Sequence, residues 1–277
     1  IAKKHHYNQS VLLSSKTKLS EPALRASLTK LVEHHDALRM VFKEKEDGWF
    51  QENRGLVNSY SLEVFDDCTE EIFTAHCDRI QSSINLDTGP LFKVGLFKFE
   101  TEDRLLLVAH HLVIDGVSWR ILFEDFSNLY QQYELGESFS LPMKTDSFKE
   151  WQSTLQHYSL SNTLEKEKPY WSEIESVKVE SLPLDYKDGS NLQEDSAVES
   201  FFLEEDLTNL LLTQCYKAYN TEINDILLAG FMQALQEVFG IDKTLVKLEA
   251  HGREYIGADV DITRTIGWFT SLYPVIL

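Results

Sequence analysis

The sequence lacks several features that identify common classes of protein. It contains only three cysteines, Cys68, Cys77 and Cys215, an odd number at wide spacing. This count supports neither a disulfide framework nor a zinc site of the CxxC type. No apolar run approaches the roughly 18 residues that a membrane span requires, and the opening IAKKHHYNQS lacks the apolar stretch of a signal peptide. We therefore expect a soluble, cytoplasmic protein that does not bind membranes.

Positive charge is also scarce in this chain. The sequence has 26 Lys and Arg residues against 45 Asp and Glu, so its formal net charge at pH 7 is -19. A surface that binds nucleic acid needs cationic groups to displace counterions from phosphates, so we expect no nucleic acid partner. The apolar fraction, 43% of 277 residues, suffices for a substantial core in one large domain or two lobes.

Helical periodicity is clear near the start of the chain. Ser20 is followed by Glu and Pro, and apolar residues then recur every three or four positions, which predicts a helix over about 21–35. Asp67 and Thr69 predict the start of a second helix. Between the two helices, Ser61 to Phe65 has the composition of a short strand.

A strand, a polar loop and a helix are predicted to follow in direct succession. Residues 105–109, LLLVA, form a continuous apolar run that is typical of a strand covered on both faces. The run ends at His110 and His111. After Gly116, apolar residues repeat at helical spacing, so a helix leaves this junction immediately.

The second half of the chain predicts a further α/β region. Residues 136–195 contain three prolines and no long strand signal, and we interpret them as a connection between lobes. The elements predicted beyond it are a strand at 198–203, a helix from Asp206 to Tyr216, a helix capped by Asn220 and ended by Gly240, and a strand at 245–248. We therefore predict an α/β fold with two lobes, 1–165 and 166–277.

The paired histidines at the end of the buried strand are a candidate catalytic base. Histidine has a reference pKa of about 6.5, so it is substantially neutral near pH 7 and can accept a proton directly. Asp115, four residues after His111, can orient the loop through a buried ion pair. The plainer alternative is that His110, His111 and Asp115 are satisfied polar residues beside a strand.

The spacing HHxxxDG, from His110 to Gly116, resembles the active-site motif of one acyltransferase superfamily. Its members are chloramphenicol acetyltransferase, dihydrolipoyl acyltransferases, and the condensation and epimerization domains of peptide synthetases. In that superfamily the second histidine, here His111, is catalytic. The resemblance implies that His110, Asp115 and Gly116 support it.

A second histidine pair lies in the peptide EHHDALR, residues 33–39. It resembles the RHExLR-type motif of condensation-like domains, whose last arginine pairs with the aspartate of HHxxxDG. The resemblance therefore implies an ion pair between Arg39 and Asp115. A metal site at His34 and His35 is disfavoured because neighbouring helical residues point in different directions and no further ligands are evident nearby.

The last thirty residues distinguish among the members of this superfamily. LEAHGRE, residues 248–254, and DITRTIGWFTSLYP, residues 261–274, resemble two signatures of epimerization domains of nonribosomal peptide synthetases. The first signature is usually EGHGRE, so Ala250 replaces a glycine here. The extended VSWRIL after Gly116 also resembles these domains.

The resemblance implies roles for individual residues of these motifs. Glu249 becomes the second acid/base group, across a substrate tunnel from His111. Arg253, or a backbone amide after His111, is the candidate donor to the enolate oxygen of the substrate. Asp261 and Arg264 are expected to form a structural ion pair. The residues expected to line the tunnel are Ser118, Trp119, Trp268 and Ser271.

The resemblance also implies a fold and a reaction. It predicts two lobes that resemble chloramphenicol acetyltransferase, arranged as a pseudo-dimer with the tunnel between them. The predicted reaction is L to D epimerization at the alpha-carbon of an aminoacyl or peptidyl thioester. The substrate would arrive on the phosphopantetheine arm of a peptidyl carrier protein, with adjacent adenylation and condensation domains in the same synthetase and no metal or cofactor bound by this domain.

The resemblance is incomplete at both ends, and it leaves alternatives. The family's PIQxWF-type motif would precede Ile1 and its FNYLG-type motif would follow Leu277, so we expect this piece alone to be a poor enzyme with an exposed apolar edge. One alternative is a condensation domain that forms a peptide bond. The others are an acyltransferase that uses coenzyme A and a noncatalytic docking platform.

Overall fold

The computed structural model describes residues 3–189, 192, 195–215, 217, 220–257 and 259–277. The chain forms two compact units. The first unit comprises the chain up to Leu164 together with His251–Ser271, and the second comprises Glu165–Ala250 and Leu272–Leu277. No helix among the described residues combines the length and the hydrophobicity that a membrane crossing requires.

The first unit contains most of the regular structure. Its elements are β1 (Asn8–Ser15), α1 (Glu21–His34), β2 (Met40–Lys45), β3 (Gly48–Asn53), β4 (Ser61–Phe65), α2 (Glu70–Ser82), β5 (Phe92–Lys98), β6 (Asp103–His110), α3 (Gly116–Glu134) and α4 (Phe148–Ser159). A short helix, α5 (Asn162–Glu165), follows at the boundary of the unit. The predicted helices near residues 21 and 69, the strand at 61–65 and the helix after Gly116 are confirmed.

A four-stranded sheet with the order β1-β6-β5-β4 is the centre of the first unit. Strand β6 runs antiparallel to both of its neighbours, whereas β4 and β5 are parallel. The apolar run of β6, Leu105–Ala109, is buried throughout, which confirms the prediction of a strand covered on both faces. Helices α1 and α3 pack against each other, and α2 packs against β5.

Local sequence explains where α1 begins. The hydroxyl of Ser20 accepts a hydrogen bond from the backbone N–H of Ala23 at 3.3 Å, and a proline stands in the first turn. Leu24, Leu28 and Leu31 then lie on one buried face. The capping residue and the apolar spacing therefore both favour a helix that begins directly after Ser20.

The second unit contains the other helices and strands found among the described residues. They are α6 (Lys168–Ser176), α7 (Glu205–Thr213), α8 (Ile223–Phe239), β7 (Leu245–Ala250) and β8 (Ser271–Ile276), of which β7 and β8 form a two-stranded sheet. The strand predicted at 245–248 is confirmed as part of β7, and Gly240 ends α8 with a φ of 69°.

Two predictions for this region need correction. Residues 198–203 form no strand, because all six are exposed and no neighbouring strand is present to pair with them among the described residues. The cap of α8 is Glu222 rather than Asn220, since Glu222 and Asp225 form a capping box. The helix predicted from Asp206 occurs as α7, and Tyr216, its predicted end, lies outside the described residues.

The segment His251–Ser271 belongs to the first unit, although the sequence placed it with the second lobe. Its side chains and backbone bond to the start of α3 and to the loop before α4. The hydrogen bond from Asp146 N to Asp261 O is 2.7 Å long. The division into lobes at residue 165 stays a prediction.

Candidate active site

The end of β6 carries the two histidines of the HHxxxDG motif. His110 is the last residue of the strand, and His111 begins a single 3-10 turn, His111–Val113, before α3. The backbone N–H of His110 donates to Leu91 O at 3.0 Å, and that of His111 donates to Tyr7 O at 2.8 Å. The sheet therefore fixes the backbone of both residues, with His110 buried and His111 half-buried.

The ring of His110 is occupied by backbone partners. Its Nδ1 accepts from Leu112 N at 3.2 Å, so Nε2 carries the hydrogen and donates to Lys4 O at 3.0 Å. Burial is the main cause that lowers the pKa of His110; the Lys4 carbonyl opposes it, and the neighbouring His111 lowers the pKa further. His110 is thus a neutral residue that shapes the turn. The N–H of Leu112, a candidate donor to the substrate, is already engaged.

The ring of His111 has a different environment. Its Nδ1 lies 2.8 Å from Ile114 O, and its Nε2 lies 3.0 Å from Nε2 of Gln9. The ring stacks on Tyr7, with centroids 5.2 Å apart and an interplanar angle of 16°. The centroid of the Trp268 ring is 4.5 Å away. Both ring nitrogens and the ring face are therefore held by the protein.

Gln9 links His111 to Trp119. The indole Nε1–H of Trp119 donates to Oε1 of Gln9 at 2.9 Å, while the other end of the amide faces His111. Gln9 lies on β1 opposite Ala109. Gln9 and Tyr7 were not predicted as site residues, because their proximity to His111 depends on the register between β1 and β6, which no local pattern specifies.

Asp115 is a structural residue at the start of α3. Its Oδ1 accepts from Ser118 N at 2.7 Å, which caps the helix, and its Oδ2 accepts from Phe269 N at 3.0 Å. Its ionic partner is Arg253, with Nη2 3.5 Å from Oδ1. Only 3% of the Asp115 side chain and 8% of the Arg253 side chain are exposed, so this pair is buried.

The predicted ion pair between Arg39 and Asp115 is therefore wrong. Arg39 ends the 3-10 turn that follows α1, and its guanidinium turns back along that helix. There it binds Asp36 and the carbonyl oxygens of Val32 and Glu33. These are acceptors left free at the end of α1, and a nearby arginine satisfies them at little conformational cost.

Arg253 holds the segment 251–271 in place. Its Nη1 donates to Ile262 O and Thr265 O, each at 2.8 Å, and its Nη2 donates to Ser118 Oγ at 3.1 Å. The guanidinium also lies 3.8 Å from the Phe269 ring centroid. Burial lowers the pKa of Arg253, against the opposing influence of Asp115. With these partners, the described contacts of Arg253 are structural.

Two further contacts position the loop that carries Trp268. Ser118 Oγ donates to Gly267 O at 3.0 Å and accepts from Gly267 N at 3.1 Å. Gly252 adopts a φ of 67°, and an added Cβ would collide with the carbonyl of Phe269. The glycine of the HGRE peptide is therefore required for the close approach of two backbone segments.

Asp261 and Arg264 do not pair with each other, contrary to prediction. Asp261 Oδ1 accepts from the backbone and the hydroxyl of Thr263, whereas Arg264 binds Asp125 and Glu124. Asp125 also lies 2.9 Å from His35 Nε2. It is a buried carboxylate on α3, far away in sequence, so the pattern around the histidines gave no sign of it.

The same carboxylate changes the assessment of His34 and His35 as metal ligands. Atoms of His34, His35 and Asp125 that can bind a metal lie within 4.8 Å of one another, so a third potential ligand is present after all. The guanidinium of Arg264 already occupies Asp125, and a fixed cation there opposes the binding of another. The cluster is an ion-pair network in this structure.

The remaining predicted residues have simpler surroundings. Gly116 is the first residue of α3 and is exposed. Ser271 begins β8 and is half-buried. Glu249 lies on β7 of the second unit with an exposed side chain. The roles assigned to these residues stay predictions.

A cavity of about 540 Å³ opens in the first unit next to the histidine turn. Leu112 and Gly267, the chain neighbours of His111 and Trp268, contribute to its wall. Lys144 and Arg264 add positive charge, but each is paired with a carboxylate. His111 itself is not among the residues that line it.

Fold and site together define a protein of the chloramphenicol acetyltransferase type, in which an α/β sheet delivers HHxxxDG at a strand end. The sequence profile of the condensation domain matches residues 2–277. The chain therefore belongs to the condensation domain family, and it is a condensation-type domain of the nonribosomal peptide synthetase kind.

Two comparisons describe its relatives more closely. Surfactin synthase subunit 1 of Bacillus subtilis (strain 168) is 45% identical over 281 residues, which cover 99% of this chain and 8% of that protein. The crystal structure of the epimerization domain from the third module of tyrocidine synthetase B is 42% identical, with a TM-score of 0.94. That match covers 99% of this chain and 64% of the solved one.

A third comparison extends the likeness of the fold. The first condensation domain of the calcium-dependent antibiotic synthetase, in complex with a substrate analogue, matches with a TM-score of 0.76 at 20% identity. It covers 100% of this chain and 65% of that structure. The predicted α/β fold of the chloramphenicol acetyltransferase type is confirmed.

Proposed function

We propose that this domain epimerizes the alpha-carbon of an aminoacyl or peptidyl thioester from L to D. The observation that carries the proposal is the likeness to the tyrocidine epimerization domain, 42% identical over 99% of this chain. The condensation domain cited above shares the fold at 20% identity. The peptides HGRE and GWFTSLYP add support, because both resemble epimerization signatures.

The reaction needs two proton-transfer groups on opposite faces of the alpha-carbon. One group removes the alpha-proton and leaves the electron pair of the C–H bond in a planar enolate. The other group then delivers a proton to the opposite face, and the C–H bond re-forms with inverted configuration. His111 and Glu249 are the two groups of this proposal. Whichever of them abstracts the alpha-proton gains a proton in one inversion, and the other, which starts protonated, loses one.

The contacts of His111 suit it to act as a base. Its Nδ1 faces the carbonyl oxygen of Ile114, which only accepts, so that nitrogen carries the ring hydrogen. The lone pair is then on Nε2, where the Gln9 amide lies at 3.0 Å, so a substrate must displace that amide before Nε2 can receive its proton. Tyr7 and Trp268 keep the ring in one orientation.

The substrate and partners belong to the same proposal. A peptidyl carrier protein delivers the thioester on its phosphopantetheine arm, and adenylation and condensation domains adjoin this one in a cytoplasmic synthetase. The chain spans 8% of the length of the surfactin synthase subunit that it matches, so these neighbours are a proposal about the whole protein. No metal or nucleotide takes part in the proton transfers.

The decisive experiment separates exchange from inversion. Carrier-bound L- and D-thioesters are incubated with the complete module in deuterated water and quenched within milliseconds to seconds. We expect wild type to exchange the alpha-hydrogen and invert both enantiomers. In His111→Ala and Glu249→Gln, the variant that keeps its abstracting base for a given enantiomer exchanges without inverting, and the other variant does neither.

The two variants should exchange these phenotypes when the enantiomer is changed, because the faces are reversed. Exposed residues of the same types serve as controls, His157→Ala on α4 and Glu237→Gln on α8. Loss of exchange from both enantiomers in only one variant would instead indicate a single base working with water. Formation of a new amide without exchange would identify a condensation domain, the main alternative.

A further inference from the structure

We infer that Gln9 and Trp119 form a positioning relay that keeps His111 neutral, with its lone pair on Nε2. The inference rests on the proposed function for its catalytic meaning. Its structural basis is the chain of contacts Trp119 Nε1 to Gln9 Oε1 at 2.9 Å and Gln9 Nε2 to His111 Nε2 at 3.0 Å. Neither residue is supplied by the HHxxxDG motif.

The orientation of the Gln9 amide follows from the chemistry of Trp119. An indole N–H only donates, so the atom that faces it must be the amide oxygen. The amide NH2 then faces His111, and its hydrogen requires an acceptor at Nε2. Trp119 thereby favours, through Gln9, the tautomer of His111 that has its lone pair on Nε2.

The opposite side of the ring gives the same answer independently. Nδ1 of His111 faces Ile114 O at 2.8 Å, and a carbonyl oxygen cannot donate. Nδ1 must therefore carry the hydrogen, and Nε2 must be the acceptor. Since the partners at both ends of the ring agree, one neutral tautomer satisfies every contact.

Protonation of His111 breaks this agreement. A hydrogen on Nε2 would oppose the Gln9 NH2, and turning the amide by 180° would place that NH2 against the Trp119 N–H. Either arrangement brings two donors together in a partly buried site, where an unmade hydrogen bond is expensive. The contacts of the relay therefore match the neutral ring with its lone pair on Nε2.

Substitutions at the two positions separate the parts of the relay. In Gln9→Glu, one carboxylate oxygen still accepts from Trp119, but the other presents an acceptor to Nε2 and favours a protonated His111. In Trp119→Phe, the amide is free to turn and the bias is lost. In Gln9→Leu, His111 loses its Nε2 partner but gains no new charge.

The experiment uses the complete module labelled with 15N-histidine, and it has two readouts. The ring 15N shifts of His111 report its tautomer and protonation without any need for activity. The rate of alpha-hydrogen exchange against pH reports the fraction of His111 that is available as base. Gln156→Leu and Trp49→Phe, at exposed positions, are the matched controls.

We expect the wild-type shifts to show hydrogen on Nδ1, and Gln9→Leu to keep the neutral ring in that tautomer, because Ile114 O still needs a donor. In Gln9→Glu the acid limb of the exchange profile should move up by at least about one pH unit, which corresponds to a tenfold change in protonation. Trp119→Phe should also move the acid limb of the exchange profile to higher pH, but by a smaller amount than Gln9→Glu. The controls should leave shifts and profile unchanged.

The inference would be overturned if wild-type His111 carried its hydrogen on Nε2. It would also be overturned if the Gln9→Glu variant had the same His111 15N shifts and the same pH profile of exchange as wild type. The shifts are read on His111 in whichever variants fold, so an unstable Trp119→Phe still leaves the two Gln9 variants. If the module exchanges no alpha-hydrogen at all, the proposed function fails, and the 15N shifts decide the relay separately.

Discussion

Asp115 shows how one buried carboxylate serves several backbone segments. It caps α3 through Ser118 N, receives the N–H of Phe269 and is paired with Arg253. A buried pair gains its attraction only after both charges have been desolvated, so each partner depends strongly on the other. The aspartate of HHxxxDG is therefore a structural residue that holds the histidine turn against segment 251–271.

We predict that Asp115→Asn destabilises the domain by about 3 to 5 kcal/mol, because the buried Arg253 loses its counter-charge. The measurement is urea unfolding at neutral pH. The double variant Asp115→Asn with Arg253→Met removes the stranded charge as well, so it should be more stable than Asp115→Asn alone. If the double variant lost as much free energy of unfolding as Asp115→Asn, or more, the stranded charge of Arg253 would not be the cause of the destabilisation.

Sequence reasoning identified both residues of this pair but joined Asp115 to the wrong partner. Asp115 and Arg253 are 138 positions apart, and no periodicity or motif spacing encodes which distant arginine a carboxylate meets. Arg39 is used instead at the end of its own helix. Residue types in a motif were thus predictable, whereas long-range partners depended on the tertiary fold.

At the scale of elements, Asp125 joins three parts of the first unit. It lies on α3, accepts from His35 after α1, and binds Arg264 of segment 251–271. Burial alone would raise the pKa of Asp125, but the hydrogen bond with His35 and the charge of Arg264 outweigh it, so the pKa is lowered. The folded state therefore favours the ionised carboxylate.

The lowered pKa predicts how stability depends on pH. Asp125 contributes its full stabilisation above the unfolded pKa of about 3.9, and the contribution is lost as pH falls through the lower folded value. We predict that Asp125→Asn lowers the free energy of unfolding by about 3 kcal/mol at pH 7. The difference in the free energy of unfolding between wild type and Asp125→Asn should become smaller below about pH 4.

Urea unfolding of both proteins at pH 7 and at pH 3 tests this prediction. The matched control is Glu124→Gln, since Glu124 also binds Arg264 but lies at the exposed surface, where ion pairs contribute about 1 kcal/mol or less. A difference in the free energy of unfolding that stays constant from pH 7 to pH 3 would contradict the prediction that ionised Asp125 stabilises the folded domain.

Elements with strong local signals were predicted from sequence, and elements that depend on packing were not. Helix α1 has a cap, a proline and an apolar face, and β6 has an uninterrupted apolar run, so each is encoded locally. Residues 198–203 have strand-like composition, but composition alone supplies no hydrogen-bonding neighbour. The contact of Gln9 with His111 was missed for a related reason, because it depends on strand register.

On the scale of the whole chain, the two units differ in how much apolar surface they bury. Most of the buried core belongs to the first unit, including the fully buried side chains of β5 and β6. In the second unit, Leu227, Phe231 and Val238 are all exposed along α8, and Phe201 and Phe202 are 87% and 93% exposed. Exposed large apolar side chains of this kind favour association.

We predict that this chain, expressed alone, self-associates through the apolar surface of its second unit. Burying a phenylalanine or leucine side chain contributes about 1.5 to 3 kcal/mol, so a few such contacts overcome the entropy lost on association. Static light scattering at increasing concentration measures the association. Replacing Phe202 and Phe231 by serine should reduce it, whereas Leu56→Ser and Val57→Ser, at exposed positions of the first unit, should not. A monomer at all concentrations, or an equal effect of both pairs, would refute the prediction.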